Sequence, residues 1–381
     1  MSQPNPSLSQ ILSNWAAGKA PTELEWQQLV DEERRSPQRA EALGIPLDNV
    51  EEAIQARSHL FQSVYPNVLS LPSFQTLLSI REAAGELENC EPFKTKIALS
   101  LWNLWLPLAI QLASLRQQLN RPLIQGILGG QGTGKTTLAA VLSLILQHLG
   151  YRTLSLSLDD LYKTYAERQY LQQSDPRLIW RGPPGTHDVA LGLQLLDQLR
   201  QPTLKQPILV PRFDKSAWGG AGDRTTSESV EGVDIVLFEG WFVGVRPIDS
   251  SVFDGATPEP IQTAADRIFA RDINERLQDY LPLWERLDRL MVLMPTDYRL
   301  SQSWRRQAEQ QMMATRKSGM TNTQVDEFVE YFWKSLHPEL FITPLTRNSS
   351  VVNLVVAINP DHSIGTIYCP DDPSVIGISY F

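Results

Sequence analysis

The chain has 381 residues, 42% of them hydrophobic, and a formal net charge of −9 at pH 7. That length and apolar content permit a large core, in two domains or in one elaborated α/β domain. The acidic balance excludes nonspecific tracking of nucleic acid, so any anionic ligand must be met by locally clustered Lys and Arg. Two cysteines, Cys90 and Cys369, exclude a disulfide framework or a cysteine-based metal site and fit a reducing compartment.

Met1 to Gln10 lacks both the basic and apolar regions of a secretory signal and the Arg-rich character of a transit peptide, which predicts a cytoplasmic protein. From about Ser7 to Cys90 the texture is helical, broken at Lys19-Ala-Pro21 and Gly44-Ile-Pro46, with no catalytic motif. This predicts a helical N-terminal extension over residues 1–92 ahead of a second unit over 93–381. Ile97 to Leu115 carries no charge and is long enough to span a bilayer. Ser100, Asn103, Pro107, Gln111 and Ser114 dilute it, however, and it runs into a strand, so it reads as a buried scaffold helix with no membrane partner.

The apolar run Pro122 to Leu128 ends at Gly129, Gly130, Gln131, Gly132, Thr133, Gly134, Lys135 and Thr136, a complete G-x-x-x-x-G-K-T loop. Glycines there let successive N–H groups converge on phosphate oxygens, and a helix starting near Lys135 points its positive end at the same anion. Lys135 supplies a cation for the β- and γ-phosphates and the Thr136 hydroxyl a ligand for Mg²⁺, so Gly129 to Thr137 form the nucleotide-binding set. Thr137 to Leu149 is mostly apolar and free of Gly and Pro, with Gly150 as its stop.

Further strands are expected at Thr153–Leu158, Asp234–Phe238, Leu290–Met294 and Val351–Ile358, with Ile364–Tyr368 closing a terminal hairpin. Their alternation with helical segments predicts an α/β fold, a mostly parallel sheet covered by helices on both faces. Functional residues gather at the carboxyl ends of such strands. Asp159 and Asp160 follow the strand expected next to the loop strand. Asp159 is the candidate base for an attacking hydroxyl, and Asp160 the better candidate to cap the helix containing Tyr162 and Tyr165. Glu239-Gly-Trp241 follows the next strand, with Glu239 where a carboxylate holds Mg²⁺ directly or through water.

Arg181-Gly-Pro-Pro-Gly-Thr-His187-Asp188, Pro211-Arg212-Phe-Asp-Lys215 and Gly219-Gly-Ala-Gly-Asp-Arg224 read as loops rich in Gly and Pro. Together their cations suit a small anionic acceptor, with Arg giving fork-shaped recognition of a carboxylate. Asp297 to Gln311 reads as a polar helix with Arg305 and Arg306, the composition of a lid that closes on a transferring phosphoryl group. His59, His148, His337 and His362 lack metal-ligand spacing and read as structural.

The order of these segments resembles the plant-type D-glycerate 3-kinases, in the P-loop kinase group of phosphoribulokinase, uridine kinase and bacterial pantothenate kinase. The segments are the P-loop, Ser157-Leu-Asp-Asp-Leu-Tyr162, Gly185-Thr-His-Asp188, Pro211-Arg-Phe-Asp-Lys-Ser-Ala-Trp-Gly-Gly220, Gly222-Asp-Arg224, Phe238-Glu-Gly-Trp241 and Trp304-Arg-Arg-Gln-Ala-Glu309. The resemblance covers roughly residues 93 to 370. It implies transfer of the ATP γ-phosphate to the 3-hydroxyl of D-glycerate, as in photorespiratory salvage, with ATP and Mg²⁺ as cofactors. It also implies Asp159 as base, standing three residues before Tyr162. Tyr162, Arg181, His187, Asp188, Arg212, Lys215 and Arg224 would then serve acceptor binding, and Arg305 and Arg306 the lid. The alternatives are a P-loop kinase for another small alcohol, such as pantothenate or uridine, and a non-enzymatic ATP-gated binding module. The absence of an Asn-Lys-x-Asp segment speaks against a GTPase.

Overall fold

The computed structural model describes residues 6–83, 90–201, 206–315 and 320–370. The parts of the two expected units at 1–5, 84–89, 202–205, 316–319 and 371–381 lie outside the described residues. The N-terminal region is helical: α1 (Leu8–Ala16), α2 (Glu23–Arg34), α3 (Pro37–Ala42), α4 (Val50–Leu69) and α5 (Pro72–Ala83). The expected breaks at 19–21 and 44–46 fall between helices. Thr22 begins α2 with a capping box, its hydroxyl accepting from Glu25 N while the Glu25 carboxylate accepts from Thr22 N.

The uncharged stretch lies in one continuous helical segment, α6 (Cys90–Ser100), a π-turn (Leu101–Trp105) and α7 (Leu106–Gln118). Pro107 lacks the N–H that a regular α turn would use. The π-turn just before it, in which Leu106 N donates to Leu101 O, lets the helix pass through. By length and composition this segment could cross a membrane, but 72% of its most apolar window is buried inside the protein. The expected division at residue 92 falls within α6.

A six-stranded sheet follows, built from β1 (Leu123–Gly129), β2 (Thr153–Ser157), β5 (Ile235–Gly240), β6 (Arg289–Pro295), β7 (Leu354–Ile358) and β8 (Ile364–Tyr368). Its order is β2-β5-β1-β6-β7-β8, parallel except for the antiparallel β7–β8 hairpin. Between the strands run α8 (Lys135–His148), α9 (Tyr165–Ser174), α10 (Val189–Leu199), α11 (Ala264–Arg276), α12 (Leu281–Trp284), α13 (Leu300–Thr315), α14 (Asn322–Ser335) and α15 (Pro338–Phe341).

Strand residues alternate between two cores. Leu123, Ile127, Ile235, Leu237, Met291 and Leu293 face the N-terminal helices, α7 and α8. Ile124, Leu128, Val236, Phe238, Leu290 and Val292 face α10, α11, α12 and α14. The N-terminal helices thus cover one face of the sheet. Phe61, Trp15 and Trp102 form an aromatic cluster with centroids 5.4–5.8 Å apart. Full burial of a side chain the size of Phe61 contributes about 1.5–3 kcal/mol.

Two expectations need correction. The segments around Arg212, Lys215 and Arg224 are not all loop. β3 (Ile208–Asp214) and β4 (Asp223–Val230) form an antiparallel ribbon outside the main sheet, with Lys215 in the turn between them. In addition, β2 is not next to the P-loop strand, because β5 lies between them and β2 is the sheet edge.

Candidate active site

The carboxyl ends of three neighbouring strands converge. Ser157 on β2 is in register with Glu239 on β5, and Glu239 with Ile127 on β1, two residues before the P-loop begins. The loop turns through Gly132 and Gly134, at φ +78° and +86°, a region closed to most side chains. Gly134 is the N-cap of α8, which starts at Lys135 and carries Thr136 and Thr137 in its first turn. Gly129, Gly130, Gln131, Gly132, Thr133 and Gly134 therefore form a backbone cradle at a helix N-terminus, the arrangement that receives phosphate. Thr133 Oγ1 and Lys135 Nζ both donate to Gly130 O, at 2.9 and 2.8 Å. Burial lowers the pKa of Lys135, opposed by the carboxylates of Glu239 and Asp159.

Thr136 Oγ1 donates to Glu239 Oε1 at 3.3 Å, and Glu239 is buried. A hydroxyl and a carboxylate side by side are hard oxygen donors, and they fit Mg²⁺, which takes one or two protein ligands and fills its octahedron with phosphate oxygens and water. Among the described residues no group of three or more His, Cys, Asp and Glu is placed to hold a metal without such help.

Asp159 stands in a 3₁₀ turn, Leu158–Leu161, directly after β2. Ser157 caps that turn, and Asp160 completes the capping box by accepting from Ser157 N at 3.0 Å. The helix carrying Tyr165 is capped instead by Thr164, and Tyr162 lies before it, so neither Asp has the cap role expected from sequence. Asp159 Oδ2 is 2.6 Å from Lys215 Nζ. Burial opposes ionisation of Asp159, but Lys215, a hydrogen bond from Tyr162 and the proximity of His187 hold its pKa below the ordinary value.

The loop over residues 181–188 folds onto this turn. Lys163 N donates to Thr186 O, Asp188 N donates to Leu161 O, and Tyr162 and His187 form a β-bridge. Their rings stack at 4.5 Å. His187 Nδ1 lies 2.9 Å from the Tyr280 hydroxyl, and burial lowers its pKa to about 3.

The other cations have partners in the protein. Arg212 donates to Glu228 through Nε and Nη2, and through Nη1 to Asp160 and Ser155 O, which ties the ribbon to the end of β2. Arg224 binds Asp188 at 2.9 Å and Tyr162 O, while Asp188 also caps α10. Arg181 donates to Gly220 O and Ala221 O and lies 5.5 Å from the Phe213 ring. Arg305 pairs with Glu309, and Arg306 binds Asp326 through both oxygens, joining α13 to α14. Around Asp159, then, Lys215, Tyr162 and His187 stand close, whereas Arg181, Asp188, Arg212 and Arg224 brace the loops that carry them. Arg305 and Arg306 sit in the α13–α14 pair.

Three contributors were given no role at the sequence level. Buried Arg168 on α9 donates to Lys163 O, Ala221 O and Gly222 O, joining the segment after the Asp159 turn to the ribbon. Tyr280 supports the 181–188 loop through Gly185 and His187. Trp304 packs against the P-loop at Gly132 and stacks on His362 at 4.5 Å. Only Trp304 fell within a recognisable motif; Arg168 and Tyr280 lie in ordinary helical sequence with no local signal.

No family model matches the chain. An uncharacterised kinase of Schizosaccharomyces pombe, mug58, is 33% identical over 221 residues, covering 56% of this chain and 79% of that protein. The chloroplastic D-glycerate 3-kinase of Arabidopsis thaliana is 31% identical over 232 residues, covering 58% of this chain and 49% of that enzyme. The chain belongs to the P-loop kinase family that includes D-glycerate 3-kinase. It is accordingly a kinase. Among solved structures, the D-glycerate 3-kinase of Cryptococcus neoformans is 29% identical, with a TM-score of 0.62 over 68% of this kinase and 96% of that chain.

Proposed function

We propose that this kinase transfers the γ-phosphoryl group of ATP to the 3-hydroxyl of D-glycerate, giving 3-phosphoglycerate and ADP. The observation that carries the reading is the ionised Asp159 held 2.6 Å from Lys215, at the same carboxyl end of the sheet as the P-loop, in a relative of D-glycerate 3-kinases. Asp159 aligns the hydroxyl and takes its proton as the new O–P bond forms and the bond between the β and γ phosphates breaks. Lys215, whose side chain is 63% exposed, can turn from Asp159 to the acceptor's carboxylate. Tyr162 and His187 form the floor of the acceptor site, while Arg181, Asp188, Arg212 and Arg224 set its walls.

The P-loop from Gly129 to Thr137 holds the phosphates, with Lys135 against the transferring group. Thr136 and Glu239 hold Mg²⁺, which neutralises phosphate charge when bound. Arg305 and Arg306 bring the α13–α14 pair over the site, excluding water.

The test is ADP release with Mg-ATP and D-glycerate beside L-glycerate, pantothenate, uridine and no acceptor. Turnover specific to D-glycerate supports the reading. Turnover with another alcohol and none with D-glycerate would overturn the substrate and leave the kinase.

A further inference from the structure

Tyr280 lies at the end of a short turn, Leu277–Tyr280, beneath the 181–188 loop and fully buried. Its hydroxyl oxygen accepts from Gly185 N at 2.9 Å. It also lies 2.9 Å from His187 Nδ1. A phenol has one proton and two acceptor positions. Among the described residues the only acceptor that the phenol's proton meets is Nδ1, so the proton is directed at Nδ1, which must accept it. A neutral imidazole that accepts at Nδ1 carries its own hydrogen at Nε2.

That second nitrogen is buried and meets no protein partner. Tyr162 stacks on one face of the ring, and Phe242 and Tyr280 stand edge-on at 5.5 and 5.7 Å, so the ring is held in place. The charged groups acting on it are Asp159, Lys163 and Arg168. Its pKa of about 3, lowered chiefly by burial, keeps it neutral at physiological pH.

We infer that Tyr280 is a positioning residue that locks His187 in the Nε2–H tautomer, so that Nε2–H serves as a fixed neutral donor to an oxygen of the acceptor alcohol or its carboxylate. This rests on the proposed reading that the acceptor lies beside Asp159. A neutral donor suits that place. A charged imidazolium would compete with Lys215 for Asp159, whereas Nε2–H binds an acceptor oxygen without drawing off the base.

Two readouts test it. In protein labelled with ¹⁵N-histidine, long-range ¹H–¹⁵N spectra identify the protonated nitrogen of each ring, and the His187 signals are those lost in His187→Gln. The expected spectrum has hydrogen on Nε2, unchanged from pH 5.5 to 8, and Tyr280→Phe converts it to a mixture of tautomers. Hydrogen on Nδ1 in the wild type, or an unchanged spectrum in Tyr280→Phe, would overturn the inference. If Tyr280→Phe does not fold, the wild-type spectrum still decides.

In steady-state kinetics Tyr280→Phe should raise the acceptor KM on the order of tenfold with the KM for ATP unchanged. His187→Gln, whose amide nitrogen can stand where Nε2 stands, should raise the acceptor KM less than the shorter His187→Asn, which should lose about tenfold or more. Equal losses in Gln and Asn would remove the donor role. Should D-glycerate prove not to be the acceptor, the spectra are unaffected and the kinetics are read with whichever alcohol turns over, so the two failures stay distinct.

Discussion

Lys215 reaches from the turn of the β3–β4 ribbon to within 2.6 Å of Asp159, joining a segment outside the main sheet to the carboxylate at its edge. On the proposed reading the pair has two uses: it keeps Asp159 ionised, and it places a cation where a small acid would present its own carboxylate. Asp159→Asn should therefore leave ATP affinity within about threefold and lower kcat roughly 10²-fold or more, the scale of general-base loss. Binding calorimetry and initial rates check this; an unchanged kcat would move the base elsewhere.

Lys215→Ala should raise the acceptor KM by about tenfold or more, as expected for loss of a charge-assisted hydrogen bond. It should also move the acid limb of the rate profile to higher pH, because Lys215 is a principal cause of the lowered Asp159 pKa. A pH–rate comparison with wild type reads both effects.

The Thr136–Glu239 pair predicts a metal phenotype. Glu239→Gln should raise the Mg²⁺ concentration needed for half-maximal rate by about tenfold, the lower end of the range for losing groups that orient a metal, while nucleotide binding measured without metal stays near wild type. A magnesium titration at saturating ATP is the check.

Much of the phosphate end is legible in sequence because a backbone cradle needs glycine at set positions, and Gly132 and Gly134 do adopt the left-handed conformations that explain their presence. The central strands β1, β5, β6 and β7 were legible because both faces are buried, which leaves continuous apolar runs. The acceptor end was less so. β4 is mostly exposed and polar, and Pro211 interrupts β3, so neither carries the alternation that marks a strand. The partners of Arg212 lie at Asp160 and Glu228, and nothing local reveals that its guanidinium is engaged.

A stability prediction follows from the N-terminal helices. Arg57 and Glu33 are both 1% exposed and 2.7 Å apart, with Arg39 adding a second contact at 3.3 Å. Arg57→Ala should cost about 3 kcal/mol, the lower end of the range for breaking a buried pair, because it leaves the buried Glu33 carboxylate with Arg39 alone, whereas replacing both partners with apolar residues should cost much less. Urea unfolding of the single and double variants separates the cases.

His337 is buried, donates through Nε2 to Glu259 O, and has its pKa lowered to about 4 by burial. Its unfolded value is about 6.5, so the unfolded chain binds more protons between the two values and stability falls as pH drops through that window. The contribution is fully present above pH 6.5, and about 2 kcal/mol of it is lost by pH 5. His337→Gln should flatten the fall in urea midpoint between pH 7 and 5, and an unaltered slope would assign the acid sensitivity to other groups.

The strand order β2-β5-β1 has a consequence for how this family can vary. The residues proposed for base, metal and phosphate stand side by side on three strands spaced about 4.8 Å apart. The phosphate and metal strands are locked between neighbours, but β2 is an edge, and the ribbon and the 181–188 loop that dress it lie outside the main sheet. A new acceptor pocket can therefore be remodelled at the rim while the centre keeps its register, making substrate choice the replaceable part of the machine.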